Sequence, residues 1–296
     1  MTASHQPDLW EFWEETKREL AAVPLEPELE PLPEHSTPYL QTYRVSFASL
    51  GGVRVSGYYT CPARENGHRL PGLLTFPGYG GAVVPPHQEA SHGYASLALD
   101  PRGQGQSAAA YPMERGKLTH HPEDLWHCGL RGAYADVVRG LDFLEARGEV
   151  DAGRLALMGA SGGGGLTLAG ASIDDRPVVA VAHVPFMCRL VWAAENVPTH
   201  PFREAGDYLE QHPESREGIL ANYRYFDPLE LVERLTCPTI VSVGMKDDVC
   251  PASTIVPTFE HIAGVKALVV YPELVHTHSP DFRRHEWNWV ETYLTP

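Results

Sequence analysis

Paired cysteines are missing from this chain. It has five cysteines in 296 residues, with no two of them in a C-x-x-C arrangement: Cys61, Cys128, Cys188, Cys237 and Cys250. An odd number of widely spaced cysteines argues against a disulfide framework and against a zinc knuckle. We therefore expect reduced thiols, most of them buried.

Long apolar runs and a basic amino terminus are missing as well. No apolar stretch approaches the roughly 20 residues that a helix needs to cross a bilayer. A secretory signal would have basic residues followed by an apolar run, whereas this chain has the acidic and aromatic segment Trp10–Glu15. These absences predict a soluble, cytoplasmic protein.

Basic residues are in deficit. The chain has 38 Asp and Glu against 23 Lys and Arg, which gives a formal charge of −15. Binding to nucleic acid or to an anionic membrane depends on Lys and Arg side chains that neutralise phosphates. We expect neither partner.

Helix-like and strand-like segments alternate along most of the sequence. This alternation is typical of an α/β domain, in which a mostly parallel, twisted sheet has helices on both faces. A chain of 296 residues is long enough to form one such domain with a sizeable core. We predict a single domain over residues 1–296.

The first part of the chain is predicted to extend this domain. Asp8–Ala22 has aromatic and leucine side chains at helical spacing, which predicts an amphipathic helix docked through its aromatic residues. The proline-rich connector that follows, up to about residue 40, is predicted to be irregular. Two β-rich runs, Thr42–Ala48 and Val53–Thr60, predict an antiparallel hairpin.

The sequence pattern changes after the sixth predicted strand, Pro177–His183. From about residue 185 to 228, prolines and polar or aromatic residues replace the strand alternation. We expect a lid inserted over the active site at this position. Its first residues, Pro185 and Phe186, are candidates for lining the pocket.

The segment Gly159-Ala160-Ser161-Gly162-Gly163 follows an apolar run and precedes small, helix-compatible residues. The pattern G-x-S-x-G between a strand and a helix is typical of a nucleophile elbow, where the serine backbone is strained and its neighbours must lack bulk. The alternatives are a glycine-rich turn with a surface serine, or a phosphate cradle. The chain has neither a Gly-Lys-Ser/Thr ending nor a G-x-G-x-x-G signature, which argues against phosphate binding.

Serine, acid and histidine occur in the chain order Ser161, Asp247, His276, each just after a predicted strand. This is the order of the α/β-hydrolase triad, in which histidine removes the serine proton and the carboxylate orients the imidazole. Asp248 and His278 are local competitors. We prefer Asp247 for its position in the acid loop, and His276 because it lies closer to the end of its strand.

Two further loops are predicted to adjoin the site. The loop after the strand Leu70–Phe76 contains Tyr79 between glycines, where hydrolases of this kind place the second oxyanion N–H donor. A glycine-rich turn with no catalytic part is the alternative. Arg102 follows another strand, and we expect its guanidinium to lock loops by binding carboxylates or carbonyls rather than to act in catalysis.

Several stretches together resemble the acetyl xylan esterase and cephalosporin C deacetylase family of carbohydrate esterases, and the resemblance covers nearly the whole chain. These stretches are Phe76–Gly81, Arg102–Gln104, Gly159–Gly164, Tyr225–Asp227, Gly244–Thr254 and Tyr271–His276. The resemblance implies an α/β-hydrolase fold, assembly as a ring-like hexamer, and removal of acetyl groups from sugars and from cephalosporin C.

The resemblance also implies roles for individual residues. They are Ser161, Asp247 and His276 as the triad, the N–H groups of Tyr79 and Gly162 as the oxyanion hole, and Arg102, Gly103 and Gln104 as a structural motif. Two positions depart from the family pattern, because the family usually has glutamine at position 162 and glutamate at position 277, where this chain has Gly162 and Thr277.

Gly162 opens a run of four glycines after Ser161. Each glycine inside a helix costs about 0.5–1 kcal/mol relative to alanine. One explanation is that backbone or substrate occupies the space that a side chain at position 162 would fill. The other is that only the N–H group of this residue is used, so that the identity of its side chain has drifted. We expect that the residue has drifted.

These patterns predict a serine carboxylesterase that hydrolyses small acetyl esters through an acyl-enzyme. Acetylated sugars, xylo-oligosaccharides and cephalosporin C-like esters are the expected substrates, and no metal or cofactor is expected. A serine peptidase of the same fold would use the same triad. A non-catalytic binding protein of this fold would be expected to have lost a triad residue, whereas this chain has all three candidates.

Overall fold

The computed structural model describes residues 8–63, 68–113 and 116–294. Residues 1–7 and 295–296 of the predicted domain lie outside these ranges. The described strands are β1 (Glu28–Pro31), β2 (Leu40–Ala48), β3 (Arg54–Pro62), β4 (Leu70–Phe76), β5 (Ala95–Asp100), β6 (Val150–Ala160), β7 (Pro177–His183), β8 (Thr239–Gly244) and β9 (Lys266–Tyr271).

The described ranges contain one helix before β1, and from β4 onward at least one helix follows each strand. These helices are α1 (Leu9–Ala21), α2 (His87–Ser91), α3 (Gly129–Glu145), α4 (Gly162–Ile173), α5 (Leu190–Asn196), α6 (Phe202–Gln211), α7 (Arg216–Tyr223), α8 (Pro228–Leu231), α9 (Ala252–His261) and α10 (Pro280–Leu294). None of them combines the length and the apolar character needed to cross a bilayer.

The nine described strands form one sheet in the order β1-β2-β3-β5-β4-β6-β7-β8-β9. The pairs β1–β2, β2–β3 and β3–β5 are antiparallel, and the other five pairs are parallel. The prediction of a mostly parallel sheet is confirmed. Because β4, β6, β8 and β9 run in the same direction, the loops after their carboxyl ends lie at one edge of the sheet, where such folds place their sites.

Both faces of the sheet are covered. On one face, Leu157 of β6 belongs to the core that includes α1, α3 and α4. On the other face, Met158 packs in a smaller core with Phe282 and Trp287 of α10. A strand that is covered on both sides reads as a continuous apolar run, which explains the pattern before Ser161.

The predicted amino-terminal helix is α1. Its first turn is stabilised by a capping box, in which the Asp8 side chain accepts from backbone N–H groups of the first turn and the Glu11 side chain accepts from the backbone N–H of Asp8. Phe12 and Trp13 are fully buried, and the Trp13 indole N–H donates to the carbonyl of Tyr225 at 3.0 Å. The aromatic residues of this helix therefore dock it against the domain.

The prediction that the proline-rich connector is irregular was wrong. It contains β1, which pairs antiparallel with β2, and a short 3-10 turn at Pro33–His35. β1 is an edge strand, and an edge strand tolerates proline because one of its sides needs no ladder hydrogen bonds. With this additional strand, the insertion of residues 185–228 follows the seventh strand rather than the sixth, and it forms α5, α6 and α7.

Candidate active site

Ser161 lies in the sharp turn between β6 and α4, with φ 53° and ψ −118°. This positive φ is a strained conformation for a residue with a side chain. A Cβ atom on Gly159 would lie 2.4 Å from the backbone of Gly163, and one on Gly163 would lie 2.5 Å from the carbonyl oxygen of Phe76. Both glycines are therefore required by the close approach of strand and helix at the elbow.

Three side chains form a hydrogen-bonded chain at this edge of the sheet. The Ser161 Oγ lies 3.0 Å from His276 Nε2, and His276 Nδ1 lies 2.8 Å from Asp247 Oδ2. With its proton on Nδ1, the imidazole donates to the carboxylate and its Nε2 lone pair accepts from the serine hydroxyl. Chemically, this geometry allows the histidine to take the serine proton while the carboxylate orients the imidazole.

Asp247 is fixed from both of its oxygens. Its Oδ1 accepts from the backbone N–H groups of Val249 and Cys250 at 2.9 and 2.8 Å, and its side chain is completely buried. Asp248, the competing carboxylate, is exposed. Of the two acids, the structure brings Asp247 to the histidine.

His278, the competing histidine, points elsewhere. Its ring stacks on that of His183, with the centroids 5.3 Å apart. Burial, with Arg283 and His276 nearby, lowers the pKa of His278, and burial lowers the pKa of His183 to about 4. His183 Nε2 lies 3.2 Å from the carbonyl oxygen of Thr277, so this uncharged ring supports the loop that contains His276. No sequence motif indicated that role.

The proposed oxyanion donors lie side by side. Tyr79 follows β4, and Gly162 is the first residue of α4, where a helix N–H has no partner within the helix. A Cβ atom on Gly162 would lie 2.4 Å from the nitrogen of Tyr79 and 2.9 Å from its Cα. The Tyr79 backbone therefore occupies the space of a side chain at position 162, and the expectation that Gly162 reflects drift was wrong.

We expect Gly162→Gln, which restores the usual family residue, to lower both the melting temperature and acetyl-ester turnover. Its Cβ must displace the Tyr79 backbone from Ser161, and a misplacement of about 1 Å near the chemistry can cost about a hundredfold in rate. Circular dichroism and steady-state kinetics measure the two effects.

Gly218→Ala is the matched control for this substitution. Gly218 lies within α7, where an added Cβ meets nothing within 4 Å, so this variant should be as stable and as active as the parent. A Gly162→Gln variant that keeps both its melting temperature and its turnover would show that the close approach is not needed.

The motif Arg102-Gly103-Gln104 connects the site to the rest of the fold. The Arg102 guanidinium binds the buried Asp136 of α3 through Nη2 to Oδ1 at 2.7 Å and Nε to Oδ2 at 3.0 Å. The Gln104 amide donates to the carbonyls of Gly78 and Gly81 at 2.8 and 3.0 Å. The motif therefore holds the loop of Tyr79. Asp136 was not identified from the sequence as the partner of Arg102. The available signal was a carboxylate on the buried face of an amphipathic helix.

We expect Asp136→Asn to reduce the free energy of unfolding by about 3–5 kcal/mol, because it leaves the buried Arg102 charge without its partner. Urea unfolding followed by circular dichroism measures the loss. Glu30→Gln is the control: it removes the exposed partner of Arg44, and a solvent-exposed pair contributes little. Equal unfolding curves for the two variants would contradict the structural role of the Arg102 pair.

A cavity of about 310 Å³ adjoins the elbow on the α10 face of the sheet. Its lining includes Pro77, Met158, Gly159, His278 and Arg283. Its volume is at the lower end of the range for small-molecule sites, and neither Ser161 nor His276 is among its lining residues.

Pro185 and Phe186, predicted as possible pocket residues, are both buried and are not among the residues that line this cavity. The Phe186 ring packs against the rings of Tyr79 and Phe202, at centroid distances of 5.2 and 4.4 Å. Within the described ranges, no group of three or more His, Cys, Asp or Glu side chains is arranged to hold a metal ion.

Known proteins resemble this chain in sequence and fold. The model of the acetyl xylan esterase family (AXE1) matches residues 1–293. The solved structure of an acetyl xylan esterase from Paenibacillus sp. R4 is 31% identical, with a TM-score of 0.91 over 98% of this chain and 96% of that one. Acetyl xylan esterase 1 from Thermoanaerobacterium sp. JW/SL YS485 is 24% identical, with a TM-score of 0.88 over 97% of this chain and 94% of that one.

A curated relative is longer. The acetyl esterase Axe7A of Xylanibacter ruminicola is 22% identical over 298 residues, which cover 95% of this chain but 65% of that protein. These likenesses confirm the predicted α/β-hydrolase fold. With a family match that extends from residue 1 to 293, the chain belongs to the acetyl xylan esterase family, which is a family of carboxylic ester hydrolases.

Proposed function

We propose that this chain hydrolyses acetyl esters through an acyl-enzyme formed on Ser161. The hydrogen-bonded chain from Ser161 through His276 to Asp247 at the elbow is the observation that supports this mechanism. A serine hydroxyl is a weak nucleophile at neutral pH, and it needs a base within hydrogen-bond reach, which His276 Nε2 provides at 3.0 Å.

In the first half-reaction, His276 accepts the hydroxyl proton while the Ser161 oxygen attacks the acetyl carbon. The N–H groups of Tyr79 and Gly162 stabilise the negative oxygen of the tetrahedral intermediate. Asp247 stabilises the imidazolium, which then gives its proton to the departing alcohol. In the second half-reaction, water replaces the alcohol and the same steps release acetate and free Ser161.

The proposed substrates are acetylated sugars, xylo-oligosaccharides and cephalosporin C-like esters. Family membership supports an acetyl ester. The test is a comparison of kcat/KM for p-nitrophenyl acetate, butyrate and octanoate, for acetylated xylo-oligosaccharides, for cephalosporin C and for aminoacyl p-nitroanilides. Faster cleavage of the anilides than of the acetyl esters would replace the esterase proposal with that of a peptidase.

We also propose that the chain assembles as a homo-oligomer, with the hexamer implied by its family resemblance as the expected state. The support is the likeness over almost the full length of an acetyl xylan esterase chain. Light scattering of the purified protein should give the mass of six chains, and the mass of one chain would overturn this proposal.

A further inference from the structure

The side chain of Tyr79 is held by a residue of the insertion. Its hydroxyl lies 3.1 Å from each carboxylate oxygen of Glu204 in α6, and it accepts a hydrogen bond from the backbone N–H of Leu118 at 3.2 Å. Glu204 Oε1 also accepts from the Thr119 hydroxyl at 2.9 Å. Three segments that are distant in sequence, namely the Tyr79 loop, α6 and residues 116–119, therefore meet at one carboxylate.

The cluster formed by Tyr79, Glu204, Thr119 and the backbone of residues 116–118 is tightly packed. A Cβ atom on Gly116 would lie 2.2 Å from Glu204 Oε1 and 2.4 Å from the Tyr79 hydroxyl, so a larger residue at position 116 would push the two apart. The buried ring of Phe186 packs edge-on against the Tyr79 ring. The tyrosine is thus fixed at its hydroxyl by Glu204 and along its ring by Phe186.

The protonation of the cluster keeps the hydroxyl a donor. Burial, reinforced by the Glu204 carboxylate, raises the pKa of Tyr79 well above its ordinary value, so the hydroxyl retains its proton. Burial also raises the pKa of Glu204, against the hydrogen bonds from Thr119 and Tyr79. Lys117 faces the same cluster, with its Nζ 5.8 Å from the centre of the Tyr79 ring.

The other end of Tyr79 is its backbone, which touches Gly162 beside Ser161. We propose that Glu204 is a positioning residue for ester hydrolysis, which holds the Tyr79 hydroxyl and thereby fixes the Tyr79 N–H in the oxyanion hole. The inference rests on the proposed function, because it requires that the N–H group of Tyr79 stabilises the oxyanion. It gives α6 an indirect part in catalysis, since a shift of this helix would be transmitted through Tyr79 to the oxyanion donor.

The expected effect of losing the Glu204–Tyr79 contact on kcat and KM depends on the step at which the oxyanion forms. The negative charge forms only in the transition state, so a misplaced N–H lowers kcat and leaves ground-state binding, and with it KM, nearly unchanged. An inhibitor that mimics the tetrahedral oxyanion, such as phenylboronic acid, must lose affinity in proportion to the loss in kcat/KM. If Glu204 only stabilised the fold, its replacement would change neither the kcat per active site nor the affinity for phenylboronic acid.

The test uses Tyr79→Phe, Glu204→Gln and the double variant in the full chain. Tyr79→Phe keeps the backbone N–H and the ring, and Glu204→Gln keeps the shape and one acceptor oxygen. We expect Tyr79→Phe to lower kcat by about tenfold or more, as small misplacements of catalytic groups do. Glu204→Gln should act in the same direction, and the double variant should be no worse than Tyr79→Phe, because contacting residues are not additive.

The matched control is Tyr208→Phe. Tyr208 is also in α6, and its hydroxyl donates to Glu123, so this hydrogen bond joins the same helix to a residue four positions beyond Thr119. We expect its kcat to stay within about twofold of the parent. Active sites are counted by fluorophosphonate titration and folding is checked by melting temperature, so that lost protein is not read as lost rate.

Several results would overturn the inference: a kcat of Tyr79→Phe equal to that of Tyr208→Phe, additive losses in the double variant, or an unchanged affinity for phenylboronic acid. In each of these cases the parent enzyme is still active and still labelled on Ser161, so the proposed function survives. Failure of the proposed function has a different appearance, because the parent would then be inactive on acetyl esters or labelled at another serine.

Discussion

Ser161→Ala is expected to reduce kcat for p-nitrophenyl acetate by about 10⁴- to 10⁶-fold, because the triad acts as a unit and no other group replaces the attacking oxygen. The activity that remains comes from substrate binding and from the oxyanion donors. The fold should be unaffected, since alanine has the same backbone strain at φ 53° as serine. Steady-state kinetics and circular dichroism measure the two quantities.

Ser172→Ala is the control for this loss. Ser172 is in α4, the helix that begins after Ser161, and its buried hydroxyl donates to the carbonyl of Leu168 at 2.7 Å. This variant should retain full turnover. A fluorophosphonate should add one group to the parent protein, at Ser161, and none to Ser161→Ala. Labelling of a different serine, or near-normal turnover of Ser161→Ala, would end the assignment of Ser161 as nucleophile.

The sequence was sufficient for those features that local physics determines. The strained turn at Ser161 requires small neighbours, and the glycines around it are visible without a structure. Likewise, the parallel strands Leu70–Phe76 and Pro177–His183 read as apolar runs and have the bounds that the sequence predicts. The edge strand Glu28–Pro31 was missed because proline normally argues against a strand, and the exception depends on having an open edge.

Contacts between distant segments had no such signal. Glu204 is an ordinary acidic residue of an amphipathic helix until the fold brings it to Tyr79, 125 positions away in the chain. The same applies to Gly162, because a sequence shows that a side chain is absent but not that the Tyr79 backbone fills its place. Glu204 and Gly162 both contact Tyr79, the proposed oxyanion donor, and its position depends on how segments from three parts of the chain pack together.

His276→Ala is expected to lower kcat for acetyl esters by about 10⁴-fold or more, because no group then accepts the Ser161 proton or returns it to the departing alcohol. KM should change far less, since the histidine acts on the reacting atoms. The rate of labelling by fluorophosphonate should fall with kcat, because that reaction also requires an activated Ser161. Both rates are measured per folded protein, with the melting temperature as the check on folding.

His278→Ala removes the same side chain two positions further along the chain, and it separates the role of base from a general effect on the loop. His278 stacks on His183 and lines the cavity, whereas the hydrogen bonds to Ser161 and Asp247 belong to His276. We expect His278→Ala to keep kcat within about tenfold, a change of roughly 1.4 kcal/mol in the barrier. If His278→Ala were the inactive variant and His276→Ala the active one, the base would have to be His278, and the loop after β9 would have to adopt a different conformation during catalysis.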